Sequence, residues 1–284
     1  MATMSLPLDV TLLVLLAALM HASWNAIAKS ATVTLLDIAT MAVAAAALCS
    51  VVLPFLPLPE RAAWPWLAAS VLLHFLYFVA LAGAYQWGEL SHAYPLMRGL
   101  APMLVALFGS ALFDDHLTAL MWVGVALISG GVLLPFWMRR APYGRPGRGT
   151  LFALGNTVII AGYTLVDGMG TRLSASPIAY CLWLFVFDAF PITALALAYH
   201  GDRVWGYMRG RWRAGTLGGL LTVASYGIVL WAMTRAPIAA VAALRETSVV
   251  FAAVIGAVVL REGFGAPRIA GAVLVACGIV ALRF

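Results

Sequence analysis

Arg98 and Arg245 each fall inside a long apolar stretch of this 284-residue chain. A charged side chain at the centre of a membrane helix costs about 2.5–3.5 kcal/mol on insertion scales, so such groups are rarely idle. The guanidinium is a planar fork of donors that suits bidentate pairing with a carboxylate. Both arginines are therefore candidates to meet a substrate carboxylate. Glu246 follows Arg245 directly. Facing a cavity, its charge would be opposed by loss of water and favoured by Arg245, which makes it a candidate for proton coupling. A structural alternative stands beside these readings, with Glu246, Glu89 or helix-end carbonyls as partners of the arginines. Asp167 and Asp188 rank lower, because Asp167 falls at a span end where water can reach it.

Several polar and aromatic residues share single helical faces. His21, Asn25 and Lys29 follow the spacing i, i+4, i+8, with Trp24 beside them. His74 and Tyr77 are three apart, and Tyr163 and Asp167 are four apart with Asn156 on the same face. Ser225 and Tyr226 are adjacent. Such spacing stacks side chains one above another. Buried in a bundle they need partners, and a water-filled cavity supplies them. Trp24, His74, Tyr77 and Tyr94 lie deep enough to be assigned to that cavity, together with Tyr163 and Tyr226. Trp64, Trp66, Trp137, Trp205 and Trp212 flank apolar runs and fit an interfacial belt. Pro95, Pro102 and Pro191 interrupt apolar runs and predict kinks. The plainer readings are an interhelical donor for each histidine and static bends for the prolines.

The elements that must position these groups are membrane helices. The chain is 64% hydrophobic and 10% charged, with mean hydropathy +0.99. A soluble domain carries about 45–50% apolar and about 25% charged residues. Ten apolar windows are expected at roughly 9–28, 36–57, 64–86, 91–113, 117–137, 149–167, 176–199, 214–233, 237–260 and 266–283. At about 20 residues per span they use about 200 residues, leaving no room for a soluble catalytic or nucleic-acid-binding domain. The net charge of +6 sits in short loops, as membrane topology requires, and nucleic acid is not an expected partner. Residues 1–8 hold no Lys or Arg, so a cleaved signal peptide is not expected. Cys49, Cys181 and Cys277 lie in apolar runs and read as small buried hydrophobes. No metal-ligand spacing, phosphate loop or nucleophile motif is present; no metal, cofactor or catalytic residue is assigned.

Residues 139–148 are rich in Arg, Pro and Gly and read as a linker at the midpoint, with five spans on either side. Sliding the chain by 147 residues sets Arg98 on Arg245, Gly109 on Gly256, Gly124 on Gly271 and Gly131 on Gly278. Asp115 then falls on Glu262. The pattern predicts repeats over 1–138 and 149–284. With an odd number of spans each, the second copy is inverted, and the substrate site falls near mid-bilayer. Loops after odd-numbered spans hold eleven Lys and Arg: Lys29, Arg139, Arg140, Arg145, Arg148, Arg203, Arg209, Arg211, Arg213, Arg261 and Arg268. The other side holds four: Arg61, Arg172, Arg235 and Arg283. The asymmetry places the linker in the cytoplasm and both termini outside.

The chain resembles the drug/metabolite transporter superfamily, specifically bacterial EamA-type ten-span carriers. The likeness rests on His21–Lys29 (HASWNAIAK) closing the first span. It rests also on Ala243–Ala253 (ALRETSVVFAA), which contains Arg245, Glu246 and Ser248, on Arg261-Glu262, and on the Gly-rich last span. Tyr94–Gly99 (YPLMRG) is a more diverged first-half copy. The resemblance implies an all-α polytopic membrane protein, with ten transmembrane helices as two inverted five-helix repeats around a central cavity. It implies a secondary transporter working by alternating access in the bacterial inner membrane. Relatives include exporters of amino acids, aromatic ones among them, and other branches move nucleotide sugars or triose phosphates. In eukaryotic relatives the termini are cytoplasmic, opposite to the arginine count.

The expected substrate-cavity residues are Trp24, His74, Tyr77, Tyr94, Arg98, Tyr163, Tyr226, Arg245, Glu246 and Ser248. The expected partners are a small-molecule substrate and the lipid bilayer; no oligomeric state is fixed, and a monomer is compatible with the sequence. Export of amino acids with apolar or aromatic side chains is the leading function. A carrier of phosphorylated or nucleotide-linked metabolites is the alternative, and an integral membrane enzyme using His21 and His74 is a more distant one.

Overall fold

The computed structural model describes residues 6–29, 33–87, 90–113, 115–138, 147–259 and 265–284. Among these residues the regular structure is helical, without strands. The helices are α1 (Leu8–Lys29), α2 (Thr34–Val52), α3 (Trp64–Trp87), α4 (Leu90–Leu112), α5 (Ala119–Met138) and α6 (Arg148–Arg172). They continue with α7 (Pro177–His200), α8 (Arg203–Met233), α9 (Ile238–Arg245), α10 (Ser248–Val259) and α11 (Ala266–Arg283). Nine described segments are long and apolar enough to cross a bilayer, one of them running through α9 and the start of α10, and α5 holds a shorter apolar stretch. The ten expected spans are all found as helix. Leu12, Leu16, Phe108 and Phe190 stand exposed along them, as lipid-facing side chains do where no water competes.

Two spans differ from expectation. The eighth begins at Arg203, not near 214, so α8 is 31 residues long. Its first three turns carry Arg203, Arg209, Arg211 and Arg213, which an apolar window excludes but a helix projecting from the bilayer accepts. The ninth is broken between α9 and α10 at Glu246 and Thr247. There the bonding tightens to i→i−3: the Glu246 amide donates to Ala243 O at 3.0 Å and Thr247 to Leu244 O at 3.2 Å. The Thr247 hydroxyl also donates to Leu244 O, at 2.8 Å. A tight mid-helix turn of this kind marks strain or function rather than an ordinary span.

All eight residues of α9 are buried, and α1, α4, α5, α6 and α8 pack around it. The helices before and after residues 139–146 interleave: α1 packs on α8, α9 and α10, while α6 packs on α3 and α4. The closest pairing is α5 against α11. A Cβ added at Gly131 would stand 2.6 Å from Gly271 O, and one at Gly278 would stand 2.8 Å from Gly124 O. Only glycine permits such an approach, which replaces hydrophobic drive with backbone-to-backbone packing in lipid. Because 124 meets 278 and 131 meets 271, the two helices run antiparallel.

Polar clasps tie the bundle at two places. Asp37 at the start of α2 accepts from Arg211 Nε at 3.0 Å and Nη2 at 3.2 Å, and from the Tyr207 hydroxyl at 3.3 Å. Asp115, in the turn between α4 and α5, accepts from the Ile238 amide at 2.7 Å. It thereby caps the N-terminus of α9 from outside that helix, satisfying an orphan donor and the positive end of the dipole. Arg172 at the end of α6 completes the knot, donating to Asp115 Oδ1 at 2.9 Å, Met233 O at 2.8 Å and Ala236 O at 3.0 Å.

Candidate functional site

Arg98 sits on α4 and Glu246 in the break of the ninth span. Arg98 Nε lies 2.8 Å from Glu246 Oε2, but the N–H does not point at that oxygen, and both atoms lack an aligned hydrogen bond. Charge, not hydrogen-bond geometry, holds this pair. Arg98 Nη2 also donates to Ser248 Oγ at 3.5 Å, so α4 is tied to the break and to the start of α10. Pro102 lies one turn past Arg98 and lines the same cleft with Ala101, Thr164, Ala242 and Arg245. The cleft has a cavity volume of about 10 Å³, room for about one water molecule.

Arg245 is buried and stacks over Tyr226, its Cζ 5.0 Å from the ring centroid. Its Nε has no hydrogen-bond partner, and among the described residues no carboxylate lies within ion-pair distance of its guanidinium. Tyr226 passes the contact on: its hydroxyl donates to Asp167 Oδ2. Tyr180 donates to the other oxygen, Asp167 Oδ1, at 3.1 Å. His74 Nδ1 lies 2.8 Å from Asp188 Oδ2, and its Nε2 3.7 Å from Asp167 Oδ2. The His74 ring packs on Tyr163 at 4.5 Å and Tyr226 at 6.0 Å between centroids. Tyr77 extends this aromatic wall, 6.0 Å from Tyr163.

The structure thus brings His74, Tyr77, Arg98, Tyr163, Tyr226, Arg245, Glu246 and Ser248 into one buried network. Tyr94, one turn before Arg98, lies close enough to feel the charges of Arg98 and Glu246. Trp24 on α1 donates its indole N–H to His21 Nδ1 at 3.3 Å, and His21 lies close enough to Arg245 and Arg98 to feel their charges. Arg98, not Arg245, is the close ion-pair partner of Glu246. Glu89, Arg261 and Glu262 lie outside the described residues, as do residues 139–146 of the linker.

Asp167 corrects the expectation of a water-exposed span end. It is 0% exposed, because α6 continues to Arg172 and two tyrosines close over the carboxylate. Its i−4 relation to Tyr163 was the available signal. Tyr180 and the Asp115–Arg172 knot carry no local pattern in the sequence: Tyr180 meets Asp167 from the next helix, and Asp115 and Arg172 are 57 positions apart. Trp64 is more than a belt residue, for its ring packs on Trp183 at 5.8 Å and on Phe187 at 6.4 Å.

Residues 147–284 match the EamA-like transporter family. The chain is 25% identical over 219 residues to the chloramphenicol-sensitive protein RarD of Pseudomonas aeruginosa, covering 72% of this chain and 68% of that protein. The solved crystal structure of another protein matches with TM-score 0.76 at 19% identity, over 96% of this chain and 98% of its own. That likeness shows the fold.

Proposed function

We propose that the chain, a multi-pass membrane transporter of small molecules by the match of residues 147–284 to the EamA-like transporter family, exports amino acids with apolar or aromatic side chains across the bacterial inner membrane by alternating access. One observation carries the reading. Arg245 is a buried guanidinium stacked on an aromatic ring, with an unpaired Nε and no carboxylate neighbour among the described residues. A carboxylate is the ligand that its donor fork fits. Glu246, already beside the same cleft, is placed to receive the ammonium of a zwitterion. Tyr77, Tyr163 and Tyr226 offer aromatic surface to an apolar side chain.

The glycine contacts support two inverted repeats over 1–138 and 149–284. Gly124 and Gly271 occupy equivalent positions in the sequence, as do Gly131 and Gly278. The pair 124–278 therefore maps onto the pair 271–131, which is what a two-fold axis in the membrane plane produces. Arg98 and Arg245 are equivalent in the same register, yet among the described residues only Arg98 of the two has a carboxylate within ion-pair distance. The asymmetry leaves a single cationic seat, which favours one carboxylate over a multiply charged phosphate.

Counterflow tests the proposal. Proteoliposomes preloaded with the twenty amino acids, at equal pH on both sides, should take up a labelled apolar or aromatic subset saturably. Folded protein that exchanges none of the twenty would sink the amino acid assignment.

A further inference from the structure

We propose that His74, Asp167 and Asp188 form a one-proton site in the middle of the bundle, loaded together with the substrate carboxylate that Arg245 receives. The inference rests on the carrier reading above and adds its energy coupling.

The first support is charge. The described carboxylates, guanidiniums and imidazole that meet in this network are Arg98, Arg245, Glu246, Asp167, Asp188 and His74. With His74 neutral the two arginines face three carboxylates, a net charge of −1 in a low-dielectric interior, where uncompensated charge is costly. One proton removes the deficit. The second support is donor geometry. Asp167 accepts a tyrosine hydroxyl on each oxygen. His74 has one ring nitrogen toward each carboxylate, at 2.8 and 3.7 Å. Only the doubly protonated ring presents an N–H to both. Asp188 Oδ1 is buried without a hydrogen-bond partner among the described residues, so the His74 ring is the donor that meets this carboxylate, at Oδ2.

The groups around His74 set the sign of the coupling. From α7 it faces Asp188, from α6 Asp167 and Tyr163, and from α8 Tyr226. From α9 the charge of Arg245 reaches it. On α4, Arg98 and Tyr94 act on Tyr77, one turn along α3. Cys181 is close to both aspartates. Of these, Arg245 is the cation that repels a proton on His74. A substrate carboxylate on Arg245 cancels that repulsion, so substrate and proton each strengthen the other's binding, as linkage requires. Proton and substrate then cross in the same direction. Under an inward proton gradient, export proceeds only when the internal substrate exceeds a ratio set by that gradient, which makes the carrier an overflow valve.

The test uses reconstituted full-length protein with a labelled mixture of apolar and aromatic amino acids. Counterflow at equal pH checks the carrier reading by itself. With the exterior made more acid than the interior, wild type should accumulate label, up to tenfold per pH unit for one proton per substrate. Asp188→Asn should lose this accumulation, even where its counterflow at equal pH is slowed. Wild type that counterflows but ignores the gradient, or that accumulates only with an acid interior, would overturn the proposal, as would Asp188→Asn behaving like wild type. If no amino acid exchanges, infrared difference titration of the empty carrier decides. One protonation seen in wild type and missing in both Asp188→Asn and His74→Gln supports the site, and identical spectra refute it. His74→Gln carries the same titration should Asp188→Asn fail to reach the membrane.

Discussion

Arg98 and Arg245 share a sequence register but not an environment, and the difference lies in what each neighbour supplies. Arg98 has Glu246 and Ser248; Arg245 has the face of Tyr226. Arg245→Ala should therefore abolish counterflow while leaving the protein in the membrane, and Arg245→Lys should lose most of it, because an ammonium cannot reproduce the fork. Membrane fractionation beside the transport assay separates this outcome from misfolding. Tyr226→Phe removes one of the two hydroxyls that satisfy a fully buried carboxylate. A loss of about 1–3 kcal/mol is expected, read as a lowered melting temperature in detergent. The intramembrane charges were legible in the sequence because the bilayer makes any such residue conspicuous. Their pairing was not, since Arg98 meets Glu246 across 148 positions of chain and nothing local encodes that meeting.

At the scale of helices, the spans were legible because a bilayer demands long apolar runs. The break in the ninth was hidden inside one such run. Hydropathy registers Ile238–Ile255 as a single span, whereas the backbone tightens at Glu246 and Thr247. The start of α8 was missed for the opposite reason, being helix without being apolar. The α5–α11 contact gives a sharp prediction. Gly131→Leu or Gly278→Leu would put side chains where a neighbouring carbonyl stands under 3 Å from a Cβ. Overpacking of this kind costs about 1–3 kcal/mol, occasionally more, and here the obstacle is backbone that cannot turn aside. Thermal unfolding should show either variant well below wild type, while Gly130→Ala, whose Cβ meets open space, should match it.

For the whole molecule, the clasps are placed at opposite ends of their helices. Arg211 lies in the first part of α8, and Arg172 at the end of α6 with Met233 at the end of α8. In a carrier that opens alternately to each side, a clasp closes its own end. Arg211→Ala should therefore raise labelling of a cysteine placed at Thr164 by membrane-impermeant maleimide from the linker side, and Asp115→Asn should raise it from the other. Equal labelling of both variants from both sides would separate these clasps from gating. The arginine asymmetry further predicts that a cysteine replacing Tyr143 is labelled from the cytoplasm alone.

α8 has one more property, which concerns the lipid more than the substrate. At 1.5 Å per residue its 31 residues span about 46 Å, well beyond the hydrocarbon thickness of about 30 Å. The surplus carries the arginines together with Trp205 and Trp212, both exposed, which sit best at the headgroup level. The helix thus works as a depth gauge, seating the bundle against one leaflet by these pegs. Since Ser225 on α8 donates to Ala17 O on α1 at 2.8 Å, a bilayer of altered thickness would pull on the bundle's interior through its longest helix.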